Sequence, residues 1–289
     1  MINIKNYSLF GSTGFVGTAL MGKHPFNEMV PRLEHRSSFS KIIYLISTTH
    51  NYHVYDDISL DVGTNLGHLC EVLREIRDGG RCKDTEFNFI SSWFVYGNVP
   101  SECLPVSEDF KCEPKGFYSI TKYAAEQLIQ SFAKTFGMKY RILRLPNVLG
   151  PGDKSYGPQK NAITWMLHEL FSGNQVKLYD DGLPLRDFLH VSDVVDAISL
   201  ILDKGSFNQI YNIGRGEPIQ IGAIIRYAAA RLGVLENVVA IDTPAFHQQV
   251  QSRDMWMDIS KLADLGFKPS HSIARIVDEI LSSFQLEQR

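Results

Sequence analysis

The sequence predicts an α/β fold: a doubly wound parallel sheet carrying a smaller C-terminal substrate-binding unit. Three observations predict it. Short apolar runs alternate with amphipathic stretches along the chain, as strands and helices do around a parallel sheet. The first apolar run leads directly into a glycine-spaced loop, Gly11-Ser12-Thr13-Gly14-Phe15-Val16-Gly17, that opens a helix. The chain has 289 residues, 44% hydrophobic and 21% charged, which is enough to bury a sizeable core.

Taken in order, the strand at 7–10 is apolar and short, and a helix at 14–21 follows the glycines. Between Gly17 and Lys41 stand 23 residues that include Pro25 and Pro31. This is too little, and too broken, for the two strands and helix a full nucleotide-binding half would place there, so one strand is expected to be missing or irregular. Strands follow at 41–47 and 86–91, with an amphipathic helix at 64–77 between them. The longest helix, 117–136, is built from good formers such as Ala124, Ala125, Glu126 and Leu128, and it stops at Gly137. A strand at 139–145 precedes a glycine- and proline-rich stretch, 150–157, that marks a change of domain. Beyond it lie a helix at 162–172, a helix and strand at 191–202 and 209–213 that return to the first domain, and helices at 219–231 and 272–284. The expected division is 1–149 with 190–214 as a Rossmann-type dinucleotide-binding domain, and 150–189 with 215–289 as the substrate domain.

The net charge of −3 gives no reason to expect nucleic acid or an anionic membrane as partner. The four cysteines, Cys70, Cys82, Cys103 and Cys112, form no C-x-x-C pair and have no histidine-rich neighbour, so they read as thiols in a reducing compartment and no metal site is expected. No apolar stretch approaches the ~20 residues needed to span a bilayer, and the first residues lack the apolar core of a signal peptide. A cytoplasmic protein is expected.

The chemistry is concentrated in two places. The glycine loop lets the backbone approach a pyrophosphate, while the helix behind it offers N–H groups and a positive dipole end. A structural turn is the plainer reading of such a loop, but its place between strand and helix favours phosphate binding. Tyr118 and Lys122 stand at i and i+4 near the start of helix 117–136, on one face. A nearby ammonium favours a phenolate, so the pair predicts a tyrosine whose pKa is drawn down toward working pH. Such a pair is also common on solvated helix faces. The serines Ser91 and Ser92 end a predicted strand upstream, where a turn is the plain alternative.

These segments resemble the extended short-chain dehydrogenase/reductase family, in its epimerase/dehydratase branch that acts on nucleotide sugars. The loop is G-x-x-G-x-x-G. Ser91-Ser92-Trp93-Phe94-Val95-Tyr96-Gly97 is similar to the family's S-S-x-x-V-Y-G, and Tyr118 to Lys122 gives its Y-x-x-x-K. Leu143-Arg144-Leu145-Pro146-Asn147-Val148-Leu149-Gly150-Pro151-Gly152 resembles L-R-x-x-N-V-Y-G-P-G, with Leu149 where Tyr is usual. Arg186-Asp187-Phe188-Leu189-His190-Val191-Ser192-Asp193 resembles R-D-F-I-H-V-x-D. Arg253-Asp254, Asp258-Ile259-Ser260-Lys261 and Leu265-Gly266-Phe267-Lys268-Pro269 resemble its terminal pattern. The resemblance implies catalysis by Ser92, Tyr118 and Lys122. It implies cofactor contacts from Gly11, Ser12, Thr13, Gly14, Phe15, Val16, Gly17, Tyr118 and Lys122, and substrate contacts from Ser92, Trp93, Asn147, Arg186 and Arg253. The two arginines would meet a diphosphate, since a planar guanidinium offers it paired donors, although a surface ion pair is the plainer role for either. His190 is expected to be structural. A homodimer through helix 117–136 is the family's usual assembly.

Two departures sharpen this. The family's 4,6-dehydratases carry Asp-Glu after the catalytic hydroxyl residue, as acid and base for loss of water. Here those places hold Trp93 and Phe94, which transfer no protons. Reduction or epimerisation at carbon 4 of a nucleotide-diphosphate sugar remains, and the size and outline are similar to reductases that finish deoxysugars. The shortened 18–40 region places the ribose contact near Glu34-His35-Arg36-Ser37. Glu34 would suit NAD, whereas Arg36 and Ser37 would suit the 2′-phosphate of NADP, to which the reading leans. A nucleotide-sensing or scaffold member without catalysis is the alternative from another class, and a methyltransferase a more distant one.

Overall fold

The structure is a computed structural model of the chain and describes residues 4–154, 157–158, 160–245, 248 and 254–287. Its centre is a six-stranded, wholly parallel sheet. In chain order the strands are β1 (Tyr7–Phe10), β2 (Glu28–Val30), β3 (Lys41–Tyr44), β4 (Glu86–Ser92), β5 (Lys139–Leu145) and, much later, β10 (Gln209–Asn212). They lie in the order β10-β5-β4-β3-β1-β2. Parallel strands need crossover helices on both faces, so these strands are buried on both sides along most of their length. One face is covered by α1 (Phe15–Lys23) and α6 (Val191–Lys204), whose Leu20, Val194, Ile198 and Ile201 pack against Leu9, Ile43 and Leu143. The other carries α3 (His68–Asp78) and α4 (Phe117–Phe136), with Leu69, Val72, Ala125 and Ile129 against Phe10, Tyr44, Phe87 and Phe89.

A second core is built from residues of 149–188 and 219–284. It joins α5 (Ala162–Phe171), α7 (Ile221–Leu232) and α9 (Ile273–Glu287) through Leu167, Leu170, Ile224, Ala228, Ile280 and Phe284. Three two-stranded pairings flank it. β6 (Asn147–Leu149) runs parallel to β9 (Phe188–His190), β7 (Val176–Tyr179) runs parallel to β12 (Val238–Ile241), and β8 (Leu185–Arg186) runs antiparallel to β11 (Ile219–Gln220). α8 (Ser260–Ala263) closes the chain back against β10.

The structure adjusts the expected elements in four places. The 18–40 region holds one short strand, β2, paired to β1 through Ser8, Leu9 and Phe10. The third strand leaves the sheet after Tyr44, because Asn65 draws the next segment aside: its Oδ1 accepts from Ser47 Oγ (3.0 Å) and Thr48 N (2.9 Å). The helix expected at 64–77 begins earlier, as α2 (Leu60–Val62), and passes through a π-helical turn at Gly63–Gly67 before α3. Residues 219–220 pair as β11, so α7 starts at Ile221.

Candidate active site

The C-terminal ends of β1, β3, β4 and β5 deliver residues to one cleft of about 1690 Å³ between the two cores. This is where a parallel sheet leaves its unsatisfied helix starts and loops, and where doubly wound folds bind ligands. The cleft is lined by Gly11, Gly14, Phe15, Val16 and Gly17 at one end, by Ser92, Tyr118 and Lys122 in the middle, and by Asn147, Arg186, Lys160 and Lys177 toward the second core. The sequence-predicted groups therefore meet, although they come from five separate segments.

The glycine loop has the shape its spacing predicts. Gly11 sits at φ +84, a conformation that disfavours any side chain, and a Cβ there would stand 3.1 Å from the backbone of Leu45 and Ile46. A Cβ on Gly17 would fall 2.2 Å from the Gly11 carbonyl oxygen, so only glycine lets α1 pack this close to β1. Gly14 is the N-cap of α1, and no side chain caps it, which leaves the first-turn amides for an anion. Ser12 and Thr13 belong to the loop but do not line the cleft.

Two of the expected ribose contacts are placed differently. Ser37 is buried, with its carbonyl oxygen accepting from Arg81 Nη1 at 2.8 Å, and Ser38 bonds the Glu28 carboxylate at the start of β2. The chain has already turned back along β2, so Ser37 faces away from the glycine loop. Arg36 is exposed and outside the cleft. The residue at the end of β2 is Arg32, two positions beyond Val30. Its carbonyl oxygen is held by His68 Nε2 at 2.9 Å, and the His35 and His68 rings lie 4.6 Å apart.

Strand alternation decides between the two serines of β4. Both border the cleft, but Ser91 Oγ donates to Glu126 Oε1 at 2.5 Å on the helix side, whereas Ser92 keeps its hydroxyl toward Tyr118. The Ser92 hydroxyl accepts from Phe94 N at 3.3 Å, capping the 3-10 turn Trp93–Tyr96, and it also faces the Tyr118 phenol. Tyr118 is pushed up to about 12, first by burial and further by the Asp61 carboxylate, with the Ser92 hydrogen bond opposing. Lys122 is pushed down to about 7 by burial, with Glu126 opposing, and its ammonium donates to Ile90 O at 2.6 Å. The expectation that Lys122 would draw Tyr118 down is thus corrected: both groups are buried, and burial favours the neutral form of each.

Three residues that the sequence reading passed over complete the setting. Asp61 is buried on α2 and accepts from Thr48 Oγ1 at 2.5 Å, and Thr48 itself lines the cleft. Asn65 Nδ2 donates to both Thr48 Oγ1 (2.8 Å) and Thr121 Oγ1 (2.9 Å), tying this corner to α4. The available signal was Ser47-Thr48-Thr49-His50, a polar run where a strand meets the sheet's C-terminal edge. Glu126 was legible as the i+4 partner of Lys122. It is held by Arg144 through Nη2 (2.7 Å) and Nε (3.1 Å).

On the substrate side, Asn147 donates through Nδ2 to Asp187 O at 3.0 Å, and Arg186 lies with its guanidinium 5.5 Å from the Trp93 ring. Asp187 fixes this corner by accepting from Arg215 N (2.7 Å), Gly216 N (3.2 Å) and Met257 N (3.3 Å). Burial nevertheless holds its carboxyl up at about 6. Arg253 lies outside the described residues. His190, His271 and Glu279 come within 4.8 Å of one another in the manner of metal ligands. The His190 Nδ1, however, accepts from the Ser192 amide, so Nε2 keeps its proton and faces Glu279 at 3.2 Å, while Arg275 Nε holds the other carboxylate oxygen at 2.7 Å. This is the structural role expected of His190.

Comparison with known proteins identifies the fold and the family. GDP-6-deoxy-D-mannose reductase of Pseudomonas aeruginosa is 27% identical over 251 residues, covering 86% of this chain and 81% of that protein. Among solved structures, UDP-glucose 4-epimerase of Thermotoga maritima, determined with UDP-glucose, superposes with a TM-score of 0.85 at 22% identity, over 98% of this chain and 100% of that one. RMD from Pseudomonas aeruginosa, complexed with NADPH, gives 0.84 at 24% identity, over 99% and 100%. The sequence model of the NAD dependent epimerase/dehydratase family matches residues 30–214, well over half the chain. Fold, cleft and family match lead to one conclusion: the chain belongs to the NAD dependent epimerase/dehydratase family.

Proposed function

We propose that this protein is an NAD(P)-dependent oxidoreductase of a nucleotide-diphosphate sugar, working at carbon 4 as a 4-keto reductase. The observation that carries the reading is the convergence of Ser92, Tyr118 and Lys122 on the cleft that begins at the glycine loop. That loop fits a dinucleotide: its α1 start is uncapped, and Gly11 and Gly17 let the loop and helix pack tightly on β1 and β3 so that the first-turn amides face the cleft. Gly11, Gly14, Phe15, Val16 and Gly17 would hold the pyrophosphate half, and Arg32, just beyond β2, the outer ribose. A guanidinium there favours NADP, as does the NADPH bound by the Pseudomonas aeruginosa structure. When bound, the nicotinamide would supply the hydride. Tyr118, kept in its protonated form by burial and Asp61, gives the proton to the sugar oxygen. Ser92, fixed by its cap to Phe94, orients that oxygen. Lys122, whose pKa burial pushes down to about 7, would return a proton to the phenolate. Arg186, Lys160, Lys177 and the sequence-assigned Arg253 would take the diphosphate, and Asn147 the sugar.

The test is a titration with NADPH and NADH, followed by nicotinamide fluorescence and then by addition of nucleotide 4-keto sugars. Tight binding and loss of fluorescence with one sugar is the expected result. Tyr118→Phe should keep cofactor binding and lose turnover by about 10²–10⁴-fold. Interconversion of sugars with the fluorescence unchanged would instead make it an epimerase. Failure to bind either nucleotide would sink the oxidoreductase reading in favour of a non-catalytic role.

A further inference from the structure

The connection from β2 to β3 crosses over β1 in residues 31–40, and none of these described residues is helical. Parallel strands ordinarily spend about a dozen residues or more on such a crossing, usually with a helix to brace it. Here the second half of the connection is fixed from the sheet: Ser38 N donates to Glu28 Oε1 at 2.9 Å and Phe39 N to Ser8 Oγ at 3.2 Å. The first half is fixed from α3. His68, the first residue of that helix, donates through Nε2 to the Arg32 carbonyl oxygen at 2.9 Å. Its Nδ1 stands 2.8 Å from the hydroxyl of Tyr44, the last residue of β3. A carbonyl only accepts, so Nε2 carries the proton and Nδ1 of the neutral ring accepts from Tyr44. Burial first, and the charge of His35 second, hold His68 below its ordinary pKa, and burial keeps the Tyr44 phenol protonated. The bonds therefore run one way, from Tyr44 through His68 to the backbone of Arg32. Rings pack around the relay. Phe10, immediately before Gly11, meets the His68 ring edge-on at 6.3 Å and 78°, and Tyr44 and His35 lie 5.8 Å and 4.6 Å from it.

We propose that His68 is a positioning residue for NADP: by holding the Arg32 carbonyl it fixes the root of the side chain that meets the 2′-phosphate. The inference rests on the oxidoreductase reading above and deepens it. Arginine is long and rich in rotamers, so what it gains from a phosphate is offset by the cost of ordering it. A main chain already tied down at Arg32 removes part of that cost before the nucleotide arrives. The Tyr44–His68 relay thus does for this connection what a bracing helix does in a longer one. It also ties Arg32 to the strand end that opens the glycine loop, because Phe10 packs on the same histidine. NAD carries a hydroxyl where NADP carries the phosphate, and a hydroxyl gives a guanidinium no anion to pair with. A residue that acts through Arg32 therefore separates the two nucleotides, whereas one that merely holds the fold together affects both alike.

The experiment measures the dissociation constants of NADPH and NADH by nicotinamide fluorescence, with no sugar present. His68→Leu keeps the bulk and removes both hydrogen bonds. It should weaken NADPH by about five- to tenfold and leave NADH unchanged. His68→Gln should restore most of the NADPH affinity, because its amide nitrogen can donate where Nε2 did. Tyr44→Phe combined with His68→Leu also removes the buried phenol that the single change strands. It should show the same selective loss, and it carries the test if the single variant does not fold. In an Arg32→Ala background, His68→Leu should cost NADPH nothing further. Equal loss for both nucleotides, an unchanged NADPH affinity, or an undiminished effect of His68→Leu in the absence of Arg32 each overturns the proposal and leaves the oxidoreductase reading in place. Binding of neither nucleotide by the unmodified protein overturns that reading, and this proposal with it.

Discussion

Asp61 shows how a single residue sets the behaviour of a site it does not line. Its carboxyl is buried behind Thr48 and its negative charge opposes ionisation of Tyr118. Burial raises the Asp61 pKa in turn, with the Thr48 hydrogen bond opposing, and Glu126 acts on Lys122 one turn further along α4. Removing the charge while keeping the shape, as in Asp61→Asn, lowers the Tyr118 pKa. Sugar oxidation requires the phenolate, so the rising limb of its pH–rate profile should move to lower pH, by about one unit. The reductive direction requires the phenol, so its falling limb should move the same way. A profile that stays in place would remove Asp61 from the mechanism. Nothing local in the sequence marks Asp61, because its significance is a contact with α4, a long way along the chain. Ser92, by contrast, was legible: it stands one residue before a turn and two residues before its own cap donor, and strand alternation separates it from Ser91.

Helix α4 works on two faces. Its inner face carries Tyr118, Lys122, Ala125, Glu126 and Ile129 into the sheet and cleft. At ~100° per residue its outer face groups Phe117, Ile120 and Leu128, which are 37%, 50% and 40% exposed. Val62 of α2, which packs on α4, is also exposed. This supports the homodimer proposed through the helix, since apolar side chains grouped on one helix face mark an association surface. Light scattering should return twice 32.7 kDa, and Ile120→Glu with Leu128→Glu should return a monomer. A monomeric unmodified protein would overturn the proposal. The helix itself was readable, since good formers run unbroken to Gly137, which adopts the left-handed cap at φ +78. Strand β2 was not. Three residues, Glu28, Met29 and Val30, are too few to show a period, and only pairing with β1 makes them a strand.

Across the molecule, the catalytic helix and the sheet are locked by one buried group of charges. Arg144 on β5 and Glu126 on α4 are essentially inaccessible and bond twice, with Ser91 on β4 as third partner. Replacing Arg144 by Met leaves the Glu126 carboxylate without its cation in the core. The expected loss is about 3–5 kcal/mol of unfolding free energy, read from urea melts, and a loss below about 1 kcal/mol would show that the pair holds little. The fold's frame was legible because short apolar runs alternate with amphipathic stretches along the chain, and the glycine loop and the Tyr–Lys pair are local patterns. The position of the outer ribose contact was not, because it depends on where the chain turns after a strand the sequence barely announces.

That turn has a kinetic consequence. The sheet ends at β2, with no further strand beside it among the described residues. A dinucleotide laid across the ends of β1 and β2 keeps its adenosine half over the loop after Val30, where Leu33 stands 88% exposed, instead of in a walled groove. Spent cofactor should leave within each catalytic cycle, so the protein should emerge from purification without bound nucleotide and its initial rate should saturate with added NADPH. A dinucleotide carried tightly through gel filtration would mean that something other than the sheet encloses that end.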